Sequence, residues 1–140
     1  QAVEGIALAL LCSSNELMIV LGQNKKLVSI QYWEHVKRGD RLVESHKAVA
    51  QLELNRTTLG VTEDSVTRLK SAKKHYSQFS HPGLLGIASR ASLGTEGQVY
   101  AGGHFDLEKL DGYKVEIGER IGLCSTLPNL IDSLARRIAP

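Results

Sequence analysis

The stretch ELMIVLGQNKKLVSIQYW, which runs from Glu16 to Trp33, decides between two fold classes. Its first residues extend an apolar run that starts at Ala2 and recurs every three or four positions, the spacing of a helix face. That spacing predicts a helix from Ala2 to Leu21, which Gly22 stops. Two alternating segments around a Gly-Gln-Asn-Lys turn also fit a β-hairpin. We therefore predict an all-α fold, with an α+β fold carrying a hairpin at 16–33 as the alternative.

Helical spacing continues through the middle of the chain. From Lys25 to Asn55, apolar residues form one stripe that includes His46, so we expect this histidine to be a hydrogen-bonded core residue. Gly39 interrupts the pattern, and Asp40 is a good N-cap for a second helix. The segment is therefore predicted as two helices meeting at Gly39, or as one helix with a weak point there.

Thr62 is the predicted N-cap of the next helix. A short helix is expected over 83–92, and several glycines mark a loop over 93–104. The last long helix is predicted over 115–138, because its apolar residues share one face: Ile117, Ile121, Cys124, Leu127, Ile131, Leu134 and Ile138. No repeat or linker divides the chain, so we predict a single domain over 1–140, an antiparallel bundle of four to five main helices.

Composition limits the partner and the compartment. Seventeen basic and fifteen acidic residues give a net charge of +2, too balanced for a dedicated nucleic-acid protein. Cys12 and Cys124 lie in apolar segments far apart, so we expect buried, reduced thiols in a cytoplasmic protein. Acidic residues interrupt the most apolar segment, and we expect no membrane association. No zinc-ligand spacing and no P-loop or dinucleotide motif occurs, and the start of a helix explains the acidic string at 104–108 more simply than a metal site, so neither metal nor cofactor is expected.

The string HYSQFSHP, from His75 to Pro82, is the best candidate for a site. It gathers two histidines, a tyrosine and two serines at the end of a basic helix. His75 or His81 would act as a general base, with the Tyr76 hydroxyl nearby. Simple helix termination is the alternative, because Ser80 and His81 can hydrogen-bond the last carbonyls before the proline. The string is also similar to a signature of uncharacterised bacterial helical-bundle proteins.

Two arginine–histidine pairs have a spacing of interest. Six residues separate Arg68 from His75, and four separate Arg41 from His46. Both pairs resemble the loose Arg, four to six residues, His pattern of HEPN-type ribonucleases, which are helical bundles of similar size. The resemblance implies that the arginine holds a scissile phosphate and that the histidine transfers a proton.

These patterns lead to two principal hypotheses for function. The first is a helical interaction or oligomerisation module whose apolar faces bury against a second copy or a protein partner. The alternative is a HEPN-like ribonuclease or nucleic-acid-binding bundle that binds RNA and uses Arg68, His75, Tyr76 and His81. A third hypothesis is a small-molecule pocket lined by Trp33, Tyr76 and His81. The sequence leaves open whether the protein is an enzyme.

Overall fold

A computed structural model describes residues 2–22, 24–80, 91–93, 99–101 and 105–138 of the chain. Five α-helices lie in these residues: α1 (Ala2–Cys12), α2 (Tyr32–Lys37), α3 (Ala48–Leu54), α4 (Glu63–Ser80) and α5 (Leu110–Ile138). Four short strands accompany them: β1 (Met18–Leu21), β2 (Leu27–Ile30), β3 (Ala91–Leu93) and β4 (Val99–Ala101). The chain is therefore mainly helical, as predicted. None of the helices in these ranges is both long and apolar enough to span a membrane.

Two compact units make up the chain. The first unit contains Gln1–Lys73 and Asn129–Pro140, and the second contains Lys74–Pro128. Helices α4 and α5 each contribute residues to both units. The single domain over 1–140 stays a prediction.

An antiparallel hairpin in the first unit shows that the fold is not a pure all-α bundle. Strand β1 pairs with β2 so that Met18 lies opposite Ile30 and Leu21 lies opposite Leu27. This hairpin is the predicted alternative at 16–33. The predicted helix from Ala2 is therefore wrong beyond Cys12, where α1 ends.

Two serines explain why α1 stops before the hairpin. The Ser13 hydroxyl donates to the Leu10 carbonyl at 2.8 Å, and the backbone N–H of Glu16 donates to the Ser14 hydroxyl at 3.0 Å. Side-chain bonds of this kind compete with the backbone bonds that would continue a helix. The next apolar residues are then free to pair as strands.

The long helical segment predicted from Lys25 to Asn55 is also corrected. It contains β2, α2, two turns of 3-10 helix and the short α3. Asp40 is an N-cap as predicted, since its carboxylate accepts from the Leu42 N–H at 2.9 Å, and it caps a 3-10 turn. Gly39 has a φ of +69°, a backbone conformation that favours glycine.

His46 is not a core residue: its side chain is 65% exposed, and Nε2 lies 3.8 Å from the Glu44 carboxylate.

The predicted start of α4 is confirmed, but the segment after this helix differs from the prediction. The Thr62 hydroxyl accepts from the Ser65 N–H at 3.2 Å and caps α4. Strands β3 and β4 pair antiparallel, with Ala91 opposite Ala101, so the helix predicted over 83–92 and the loop predicted over 93–104 are wrong where these strands lie. The other residues of those two predictions lie outside the described residues.

Helix α5 is longer than predicted, and much of the face that was expected to be buried is exposed. Ile117 and Ile121 are 56% and 63% exposed instead of buried, and the Cys124 thiol is also exposed. Cys12 is half-buried, and both cysteines are free. Of the apolar stripe that periodicity predicted for this helix, Leu127 and Leu134 are partly buried, and Ile131 is exposed like Ile117 and Ile121.

The core of the first unit is aliphatic. Helix α1 packs on α3 and α3 packs on β1, and the buried side of α1 carries Val3, Ala7, Leu10 and Leu11. Other members of this core are Met18, Val20, Ile30, Tyr32, Val43, Ala48, Val49, Leu52, Leu59 and Val66. Because Met18 and Val20 alternate with exposed residues, one face of β1 joins the core and the other does not.

Asn55, the residue after α3, fastens the hairpin to the helices. Its side chain is 1% exposed. The amide nitrogen donates to the carbonyls of Ile19 at 2.8 Å and Gln51 at 2.7 Å, and the amide oxygen accepts from the Ile19 N–H at 2.7 Å. One side chain thus satisfies both backbone groups of Ile19 as a neighbouring strand would.

A second buried polar contact joins α2 to α3. The Tyr32 hydroxyl donates to Gln51 Oε1 at 2.6 Å, and Gln51 Nε2 donates to the Leu42 carbonyl at 2.6 Å. Burial, with a smaller contribution from Cys12, raises the pKa of Tyr32 far above its ordinary value. Tyr32 therefore stays neutral and serves as a hydrogen-bond donor in the core.

We predict that Asn55→Ala lowers the free energy of unfolding by about 2–4 kcal/mol, because it leaves the partly buried N–H and C=O of Ile19 without their partner. Urea denaturation would measure the change. Asn15→Ala is the matched control, since Asn15 is exposed and contributes its backbone carbonyl, which accepts from Gln31. Equal stability of the two variants would contradict the role given to Asn55.

Candidate functional site

The predicted site residues fall into three places. His75 and Tyr76 lie on α4 within the second unit. Arg68 lies earlier on α4, within the first unit, where its Nε is 3.0 Å from the Asp64 carboxylate and both side chains are exposed. His81 lies outside the described residues. Arg68 therefore forms an ion pair with Asp64, one helical turn earlier, on the surface of α4.

Helix α5 supplies two side chains beside His75 that sequence reasoning missed. His75 Nε2 lies 3.9 Å from Glu116 Oε2. The other oxygen, Glu116 Oε1, accepts from Arg120 at 2.6 Å and 3.1 Å. The signal that was available is the four-residue spacing of Glu116 and Arg120, which is typical of an ion pair on one helix. The sequence could not supply the packing of this pair against His75.

Tyr76 completes a group that we call the polar cluster, which consists of His75, Tyr76, Glu116 and Arg120. The Tyr76 ring meets the His75 ring edge-on, with centroids 5.2 Å apart and an interplanar angle of 81°. Burial raises the pKa of Tyr76 above its ordinary value, and the Glu116 carboxylate raises it further. The phenol is therefore held in its protonated form.

The chemistry open to the polar cluster is proton transfer beside an anion-binding group. A carboxylate next to an imidazole can orient the ring, and a guanidinium can bind a phosphate. The Glu116 carboxylate lies closer to the Arg120 guanidinium than to the His75 ring. Within the described ranges, no three histidine, cysteine or acidic side chains are arranged to hold a metal ion.

A second candidate surface lies on the hairpin of the first unit. We call it the hairpin face, and its members are Leu17, Ile19, Leu21 and Leu27. They are between 39% and 61% exposed. Leu21 and Leu27 are direct cross-strand neighbours, so these side chains form a continuous patch. Contiguous exposed apolar patches mark interaction surfaces more often than isolated leucines do.

An open cleft of about 660 Å³ also lies in the first unit, lined by Ala9, Cys12, Ser13, Ser14, Asn15, Leu134 and Arg137. The positively charged side chain in this cleft, Arg137, is bonded to other residues of the chain. The Arg137 guanidinium donates to the Leu59 carbonyl at 2.5 Å and to the Ser13 hydroxyl at 3.5 Å. We therefore assign this arginine to the structure of the first unit.

Comparison of the chain with family models, with curated proteins and with solved structures finds no match. Its function therefore has to be inferred from the polar cluster and the hairpin face.

We predict that Glu116→Gln lowers the pKa of Tyr76 toward its ordinary value, because it removes the carboxylate that raises this pKa most while leaving the burial unchanged. The shift can be followed by NMR titration of the tyrosine ring carbons, with Tyr76→Phe identifying the resonance. Glu108→Gln is the control, since Glu108 does not contribute to this pKa. An unchanged pKa in the Glu116 variant would show that burial acts alone.

Proposed function

We propose that this chain is an interaction module that forms homo-oligomers through the hairpin face of its first unit. The observation that carries the proposal is the exposure of Leu17, Ile19, Leu21 and Leu27 on a hairpin whose opposite face contributes Met18, Val20 and Ile30 to the core. A strand pair normally turns its polar side to water. Here the outer side is apolar, which favours a protein partner.

The energy available supports a moderate affinity. Burying the exposed half of a leucine or isoleucine side chain contributes about 1 kcal/mol. Four such residues in each of two copies would give at most about 8 kcal/mol if they were completely covered, and the lost freedom of the two partners offsets part of this. The association is therefore expected to depend on protein concentration.

Exposed apolar residues on α5 are a second feature in favour of a protein partner. Ile117 and Ile121 are four residues apart and lie on the same side of this helix. They belong to the second unit. This pair has two members and the hairpin face has four, and we assign the main contact to the hairpin.

An RNA-binding or HEPN-like ribonuclease activity is the second candidate function. The contact of His75 with Glu116, which also binds Arg120, favours it. In this form of the hypothesis Arg120 takes the phosphate-binding role that the sequence assigned to Arg68, and His75 transfers the proton. Tyr76 would donate a hydrogen bond to the substrate.

For the module, we predict that Leu27→Glu raises the dissociation constant for self-association at least tenfold, because it places a charge in the buried contact. Sedimentation velocity over a range of concentrations would measure it. Leu54→Glu is the matched control, since Leu54 is 48% exposed and lies outside the hairpin face. Equal behaviour of the two variants would contradict the assignment of the surface.

For the alternative, His75→Gln is expected to abolish RNA cleavage, and Arg120→Gln to weaken RNA binding. Gel assays of cleavage and fluorescence anisotropy with a single-stranded RNA would measure the two effects. His46→Gln is the control, because His46 is an exposed histidine of the first unit. A wild-type chain that neither binds nor cleaves RNA would exclude this function.

A further inference from the structure

The two edges of the hairpin are not equivalent. Within an antiparallel pair, residues alternate between those that bond to the partner strand and those whose backbone groups point outward. Gly22 donates to the Lys26 carbonyl at 2.8 Å, which sets the alternation for this hairpin. Ile19 and Leu21 therefore point outward on β1, and Leu27 and Ser29 point outward on β2.

The outer edge of β1 is blocked at Ile19, near the middle of the strand. The Asn55 side chain bonds to both the N–H and the C=O of Ile19 and leaves no place there for another strand. The outer edge of β2 is open. Among the described residues, no backbone group bonds to the N–H or C=O of Leu27 or Ser29, and both side chains are exposed.

We propose that β2 pairs antiparallel with β2 of a second copy and so forms a four-stranded sheet across a two-fold axis. This inference rests on the proposed function, since it specifies where the two copies meet: along the β2 edge, beside Leu27 of the hairpin face. Leu27 of one copy would lie opposite Ser29 of the other, with Val28 on the axis. The open N–H and C=O groups of both residues would then form four hydrogen bonds.

The apolar residues are placed for this arrangement. Ile19, Leu21 and Leu27 lie on one side of the sheet. Pairing across β2 would bring the two hairpin faces into one continuous surface, and the two Leu27 side chains would be close to the axis. A strand from a second copy therefore satisfies the open edge and enlarges the apolar face in the same step.

Charge selects the antiparallel orientation. The turn end of the hairpin carries Lys25 and Lys26, and the open end carries Glu16, all exposed. The ion pairs formed among the described residues do not include any of the three. An antiparallel pair places the lysines of one copy at the same end of the sheet as the glutamate of the other. A parallel pair would place like charges together.

Disulfide trapping tests the register. In the proposed pairing, Val28 faces its own copy as a non-hydrogen-bonded pair, with Cα atoms about 4.5 Å apart, a distance that a disulfide can bridge. In a background with Cys12→Ala and Cys124→Ser, Val28→Cys is expected to form a covalent dimer with diamide as the oxidant. Lys26→Cys is the matched control, because its two cysteines would be about 13 Å apart. This variant is expected to form no covalent dimer. Cross-linking of the control alone would overturn the register.

A proline variant separates this inference from the proposed function. Ser29→Pro removes the outward N–H and keeps the bonds inside the hairpin, because those bonds use Val28. We expect it to abolish self-association in sedimentation velocity, while Ser29→Ala, which retains the N–H, behaves as the wild type. Circular dichroism would confirm that both variants fold. Association that survives Ser29→Pro but not Leu27→Glu overturns the strand pairing and leaves the module standing. A wild-type chain that is monomeric at every concentration overturns both.

Discussion

Asn55 bonds to the backbone of Ile19 from inside the core, and the arrangement of the first unit depends on this contact. A helix cannot pair with a strand through its own backbone, because its N–H and C=O groups are already used. An asparagine at the end of α3 supplies one donor and one acceptor instead. The contact orients the hairpin so that Met18 and Val20 enter the core. It also decides which edge and which face of the hairpin stay available to a partner.

The local parts of the fold were predictable from the sequence, and the choice between helix and hairpin was not. Thr62 and Asp40 cap the turns that begin after them, as predicted, because capping depends on neighbours two or three residues away. The segment from Met18 to Leu21 is apolar throughout, so it fits both helical and strand spacing. In the fold, this segment is held as a strand by contacts distant in sequence, among them that of Asn55 with Ile19, 36 residues away.

The candidate sites show the same limit. Residue type alone points to His75 and Tyr76, and they do belong to one polar cluster in the second unit. Glu116 was missed because it reaches His75 only through the packing of α5 against α4. Ile117 was expected in the core, since an apolar stripe shows where a helix is amphipathic and not which element covers it. The exposed apolar residues became visible only with the structure.

Amide hydrogen exchange, measured at several protein concentrations, tests the central claim most directly. The Ile19 amide is bonded to Asn55 within one chain, so its exchange should be slow at every concentration. The amides of Leu27 and Ser29 are predicted to exchange rapidly in dilute solution and to become protected as the concentration rises. Protection of all three that is independent of concentration, or rapid exchange at Leu27 and Ser29 throughout, would contradict the account.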